Sequence, residues 1–166
     1  MIIRDEMQSD IDAITEVTAA AFATQPHSQQ TEHFIIKALR AAQALTVSLV
    51  AEVDGKVVGH VAFSPVTLSD GSEPWYGLGP VSVLPAHQRQ GIGTALVKAG
   101  LVRLQARGAQ GCVLVGDPGY YERFGFRSRP ELRHEGVPPE NLLALAWGTQ
   151  RPRGEVAFHP GFWVTE

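Results

Sequence analysis

The chain has 166 residues, 44% apolar and 19% charged, with a formal net charge of −3 at pH 7. That length suits one domain able to bury its own core without disulfide or metal staples, and the weakly acidic balance argues against a nucleic-acid partner, which favours a basic face. A lone cysteine, Cys112, excludes an intrachain disulfide. No apolar run approaches the ~20 residues that span a bilayer, and Met1-Ile2-Ile3-Arg4-Asp5-Glu6 turns acidic too early for a signal peptide. The expectation is a cytoplasmic protein with one domain over residues 1–166, its core over 2–147 and a C-terminal strand and tail over 148–166.

Ile2 and Ile3 open a short strand. Ser9 reads as a helix N-cap with Asp12 in the reciprocal position, and Ile11, Ile14, Thr18, Ala21 and Phe22 follow at helical spacing. Pro26 lies in a break, after which residues 31–43 carry Phe34, Ile35, Ala38, Leu39 and Ala42 on one helical face. The period then changes to two. Residues 46–53 and 56–68 read as strands around the hairpin signal Asp54-Gly55, the second bent near Gly59 or Pro65. Asp70-Gly71 turns the chain into a third strand over residues 74–84, completing an antiparallel meander. Gly91 opens the longest helical stretch, to about Arg107, apolar on two sides as in a helix packed between a sheet and something else. Residues 112–115 form a short buried strand parallel to the third, joined to it by a right-handed crossover. Asp117 and Pro118 start a short helix that Gly125 ends, and Phe126 begins a further strand. Residues 128–141 are rich in proline, glycine and charge and read as a loop; 142–147 and 156–158 supply the last strands.

The chemistry lies where the third meander strand hands over to the long helix, Val81 to Thr94. The first turn of a helix leaves N–H groups without partners, and with the helix dipole these bind anions such as a pyrophosphate. Gly91 and Gly93 let phosphates approach the backbone, and Arg89 adds a fixed positive charge. A Walker A loop would need a lysine between Gly93 and Thr94, and the dinucleotide fingerprint a glycine at Leu96 with an acid near Cys112. Both fail, which leaves an ordinary helix start or a different phosphate ligand.

Gln88-Arg89-Gln90-Gly91-Ile92-Gly93 resembles the Gln/Arg-x-x-Gly-x-Gly/Ala signature of the GNAT acetyltransferase superfamily. Tyr120-Tyr121-Glu122-Arg123-Phe124-Gly125-Phe126 resembles its second marker, an aromatic-Tyr-x-x-x-Gly-Phe segment, and the helix and strand between the two are also the family's. The Gly-Asp-Pro before the tyrosines and the tail from Gly154 to Phe162 further resemble its YhbS-like branch. The resemblance implies an α/β (α+β) fold: a central, mostly antiparallel sheet of six to seven strands, splayed in its middle and flanked by helices on both faces. It implies acetyl-CoA as cosubstrate, no metal, and direct attack by an amine acceptor, small molecule or peptide, and it allows a homodimer. Val83 would bond the pantetheine arm through its backbone, the amide of Val81 would polarise the thioester carbonyl, and the amides of Gln88, Arg89, Gln90, Gly91, Ile92, Gly93 and Thr94 would hold the pyrophosphate. Tyr121, four residues before Gly125, would protonate the leaving thiolate, a phenol of pKa about 10 matching a thiolate of similar basicity.

Many relatives carry a glutamate base on the third meander strand; the matching position here is Gly77. Glu73, His60, Asp117 or a water chain would have to replace it, and a non-catalytic CoA-binding module or sensor is the rival reading. An acceptor with a low-pKa amine, such as a peptide N-terminus or an aminoglycoside-like amine, would reduce the need for a base. Cys112 reads as a buried structural thiol, His60 as a satisfied sheet residue, Tyr120 as a packing aromatic, and Trp75 and Tyr76 as core or acceptor-cleft residues.

Overall fold

The computed structural model describes residues 1–166. β1 (Ile2–Asp5) leads through a 3-10 turn into α1 (Ile11–Phe22) and α2 (Glu32–Ala41). The N-terminal device of α1 differs from the Ser9 cap expected. Asp10 accepts from the Met7 amide at 2.7 Å and binds Arg4 at 2.7 and 3.1 Å, so one carboxylate closes the turn and ties it to β1. β2 (Val47–Val53) and β3 (Lys56–Leu68) follow. Asp54 and Gly55 between them both take positive φ, 51° and 77°, the type I′ pattern that matches the twist of a hairpin. β4 (Trp75–Val83), α3 (Ile92–Ala106) and β5 (Gly111–Val115) form the parallel crossover unit. α4 (Pro118–Tyr121) is capped by the Asp117 side chain, which accepts from Gly119 N at 2.9 Å. β6 (Arg127–Ser128), β7 (Leu132–Arg133), β8 (Leu142–Ala146) and β9 (Gly154–Ala157) complete the sheet.

The strand order β1-β2-β3-β4-β5-β8-β6 gives the six to seven strands expected, and β7 and β9 add two more by pairing with each other and with the end of β3. Only β4–β5 and β7–β9 run parallel. β7 falls inside the stretch expected to be loop. At two residues, paired to a segment more than 20 positions away, it has no local signal.

Successive residues of β2 separate the two faces. Val47, Leu49 and Ala51 pack with Leu96, Val97 and Leu104 of α3, while Val50 packs with Ile14, Val17 and Ile36 of α1 and α2. Each fully buried leucine at these contacts stabilises by about 1.5–3 kcal/mol. The far end of the second face is covered by the C-terminal segment, which brings Leu132 and Val156 onto Val66, Trp75 and Val113. No helix is long and apolar enough to cross a membrane.

A polar network crosses the α1–α2 face. Arg40 donates to both oxygens of Glu6, at 2.9 and 3.1 Å, and Ser48 donates to Glu6 as well. Since Ser48 has one proton and gives it to the carboxylate, it accepts from His60 Nε2 at 2.8 Å. His60 is completely buried and its Nδ1 has no partner. Burial pushes its pKa down to about 4, with Glu6 opposing and Arg40 reinforcing the shift. The ring is therefore neutral in the folded protein down to about pH 4 but protonates near pH 6.5 when unfolded. Stability is full above pH 6.5 and declines as the pH falls toward 4, by up to about 1.4 kcal/mol per pH unit. Urea unfolding across that window measures the slope, and His60→Gln should flatten it.

Candidate active site

β4 keeps its pairing with β3 but loses β5 half-way. β4 and β5 are in register only from Trp75–Gly111 to Gly77–Val113, whereas β5 pairs with β8 along its whole length. The break coincides with a bulge. Val61 faces Val81 while Phe63 faces Leu78, so β4 holds one extra residue at Gly79-Pro80, where Gly79 has φ 133°. Beyond it, Leu84 N donates to Val58 O at 2.9 Å, and Ser82 pairs with His60. Antiparallel alternation then turns the N–H and C=O groups of Val81 and Val83 away from β3 and into the gap. Val83 O meets the Gln88 side-chain amide there, at 3.0 Å.

On the α3 face of this gap lies a cavity of about 400 Å³. Its floor is the start of α3. Gly91 is the N-cap in the left-handed region at φ 82°, no side chain caps the helix, and the first internal bond is Ala95 N to Gly91 O. The amides of Ile92, Gly93 and Thr94 are thus the free donors of an uncapped turn. A Cβ on Gly93 would sit 3.7 Å from Tyr120 Oη and 3.8 Å from Val83 Cγ2, so a larger side chain there would project into the cavity. Arg89 and Arg123 line the walls and neither pairs with a carboxylate. Arg123 is held by its Nε donating to Tyr120 O at 2.8 Å, with its guanidinium 4.2 Å from the centre of the Tyr120 ring. Two cations and an uncapped helix start make an anion site.

Of the residues singled out in the sequence, Val83, Gln88, Arg89, Gly91, Ile92, Gly93 and Thr94 line this cavity. Val81 and Gln90 do not: Val81 lies further down the gap, and Gln90 is an exposed loop residue. His87, Tyr120 and Arg123 are additions. The signal for Arg123 was present, since it falls within the second motif. Tyr120 has more than a packing role: its hydroxyl lies 3.0 Å from Thr94 Oγ1. Tyr121 stands behind it, edge-on at 4.9 Å, against Phe126. Its hydroxyl has no protein partner, and burial lifts its pKa to about 12, helped by Tyr120 and Cys112.

The replacement bases named from sequence lie outside both the gap and the cavity. His60 is sealed in its network with Ser48 and Glu6. Glu73 is exposed before the far end of β4, about 26 Å along the strand from Val81. Asp117 is occupied as a helix cap. Gly77 is more than a missing acid. A Cβ there would lie 3.0 Å from Phe158 and from Val66, so the room for a side chain is already filled.

Residues 11–126 match the acetyltransferase (GNAT) family. The chain is 35% identical over 127 residues to the uncharacterised N-acetyltransferase YhbS of Escherichia coli K12, covering 76% of this chain and 73% of that protein. It is 32% identical over 133 residues to YjhQ of the same organism, covering 79% and 71%. Among solved structures, a GNAT family acetyltransferase from Brucella melitensis in complex with acetyl-CoA superposes with a TM-score of 0.87 at 50% identity, over 97% of each chain. Escherichia coli YhbS in complex with CoA superposes at 0.84 and 31% identity, over 97% of this chain and 91% of that one.

The anion site can be tested without any nucleotide. Inorganic pyrophosphate should bind with an affinity that falls as salt rises. Gly93→Leu, which places a side chain between Val83 and Tyr120, should weaken binding at least tenfold at unchanged Tm, and Arg123→Ala should reduce both affinity and salt dependence. Calorimetry on the three proteins makes the comparison.

Proposed function

The chain belongs to the GNAT acetyltransferase family, and we propose that the cavity at the start of α3 and the gap beside it are where it holds acetyl-CoA for transfer of the acetyl group to an amine. The observation that carries this reading is the meeting of the uncapped α3 amides with Arg89 and Arg123, which no carboxylate neutralises, at the mouth of a strand gap. In it the amides of Arg89, Gly91, Ile92, Gly93 and Thr94 take the pyrophosphate, with Arg123 as a further cation; Gln90 lies outside the cavity and the Gln88 amide is bonded to Pro85 O. The backbone of Val83 receives the pantetheine arm and the N–H of Val81 polarises the thioester carbonyl. Both amides are turned away from β3, as these roles require. A free cysteine and no disulfide support a cytoplasmic enzyme.

The reaction is a direct displacement. The amine lone pair attacks the thioester carbon, the carbonyl electrons move to oxygen beside the Val81 N–H, and collapse expels the sulfur. Tyr121 is the proton donor of this reading, because its hydroxyl is uncommitted and Tyr120 is engaged with Thr94. The simple match of a phenol near pKa 10 with a thiolate does not hold. At about 12 the phenol lies above an ordinary thiol at about 8.5. Full transfer to the thiolate is uphill, so Tyr121 acts by donating a hydrogen bond to the sulfur as charge develops on it. The rival reading, a CoA-binding module without turnover, draws on the filled space at Gly77. It would be selected by intact CoA binding with no thiol release on addition of any amine.

Tyr121→Phe should lower kcat on the order of 10²-fold while leaving acetyl-CoA affinity unchanged. Tyr120→Phe, which loses the bond to Thr94, should weaken acetyl-CoA binding with kcat at saturation close to wild type. Thiol release and calorimetry separate the two, and the reverse pattern would move the donor role to Tyr120.

A further inference from the structure

The opposite face of the sheet holds a second cavity, of about 360 Å³. Its walls include Leu78, Gly79 and Pro80 of β4 and Val115 of β5, the two strands that part, so it opens onto the same gap from the other side. α2 contributes Glu32 and Ile35, and the C-terminal segment contributes His134 and a set of aromatic rings. Val115 and Trp163, 50% and 63% exposed, place apolar surface among its lining. We propose that this cavity is the acceptor site, that it takes a primary amine carried on a small apolar or aromatic body, and that His134 is the general base. The proposal rests on the acetyl-CoA reading above.

The histidine is held as a base needs to be. Its Nδ1 lies 2.7 Å from Val156 O, and a carbonyl can only accept, so Nδ1 carries the proton and the neutral ring keeps Nε2 bare. The ring stacks on Trp163 at 5.9 Å and 11°, and meets Phe158 edge-on at 5.1 Å and 87°. Phe158 is the ring that fills the space beside Gly77. The position from which an acid on β4 would act is therefore taken by an aromatic wall, and His134 is the titratable group directly against that wall. The other titratable lining group is Glu32, whose carboxylate accepts from Ser28 Oγ at 2.6 Å. The neighbouring Arg133–Glu155 pair, 3.1 Å apart, is exposed and outside the lining. One carboxylate among apolar walls selects a single cationic amine on an apolar body over a polyamine.

The bound ammonium first gives one proton to His134 Nε2, which passes it to solvent, and the freed lone pair then forms the C–N bond. The second N–H proton leaves by the same route, while the C–S electron pair departs on sulfur, which Tyr121 hydrogen-bonds and solvent protonates. 2-Phenylethylamine is the probe. It should bind the CoA-loaded protein and be acetylated from acetyl-CoA, with spermidine a poorer acceptor. Val137→Trp, at the cavity wall, should weaken its binding at least tenfold with CoA affinity unchanged, and Glu32→Gln should raise KM with kcat retained. His134→Asn keeps a donor toward Val156 O and lacks Nε2. It should lose on the order of 10²-fold in kcat and the acidic limb of the kcat/KM profile, and added imidazole should partly restore His134→Gly. Failure of the probe to bind or be acetylated, indifference to Val137→Trp, or a preference for spermidine overturns the site and substrate class. A wild-type pH profile in His134→Asn overturns the base. Failure of wild type to bind CoA at all would instead remove the preceding reading.

Discussion

The structure depends on the parting of β4 from β5. β4 stays with β3 through a one-residue bulge at Gly79-Pro80, and β5 stays with β8 through unbroken register, so the two cannot remain together beyond Gly77 and Val113. Pro80 has no N–H to offer, and Gly79 at φ 133° takes a backbone shape few side chains tolerate. The consequence is a pair of backbone amides, Val81 and Val83, turned toward a strand partner that is absent. Unpaired backbone groups in an interior gap cost as much as a lost hydrogen bond until something polar reaches them. An arm that itself carries amides, as the pantetheine of CoA does, is the kind of molecule that completes such a ladder. Both cavities border this gap, one from each face of the sheet.

The surroundings of Gly77 show how a distant part of the chain shapes this face of the sheet. A carboxylate at that position would project onto the face now covered by the C-terminal segment, and Phe158 and Val66 approach too closely to admit it. The C-terminal segment is held there by β9 pairing with Thr67 and Leu68 of β3 and by Leu132 and Val156 packing on Trp75. That same packing carries His134 to the cavity wall. The filled space at Gly77 and the placement of His134 are thus two results of the same packing.

Much of the fold, and the cavity at the start of α3, could be read from sequence because their signals are local. Asp54-Gly55, the proline-to-glycine run before α3 and the Tyr-x-x-x-Gly-Phe segment each act within a few residues, and the structure follows them closely. Ser9 was displaced as a cap because Asp10 has Arg4 to bind, a partner on another element. The second cavity had no local signal at all. It draws Glu32, Leu78, Val115, His134 and Trp163 from separate segments, and its histidine sits in a stretch whose prolines and charges give no period. Tyr120 was read as packing because a tyrosine's hydroxyl partner, here Thr94 on α3, is invisible until α3 and α4 are placed together.

Charge sorts the two faces. The α3 side presents Arg89, Arg123 and the positive end of a helix, while the opposite cavity presents Glu32. A phosphorylated cosubstrate is drawn to the first and repelled by the second; a cationic amine experiences the reverse. With the two sites proposed above, the two reactants enter from opposite sides and meet at the gap without competing for one entrance. That arrangement favours a ternary complex over a covalent relay, and the chain's thiol agrees. Cys112, on β5 and near Tyr121, is the residue a relay would use, yet it is fully buried in the α3-side core. Burial drives its pKa far above the ordinary thiol range, so it offers no thiolate to capture an acetyl group. With the nucleophilic side chain sealed and the two cavities oppositely charged, the acetyl group has one short path, from sulfur to amine across the parted strands.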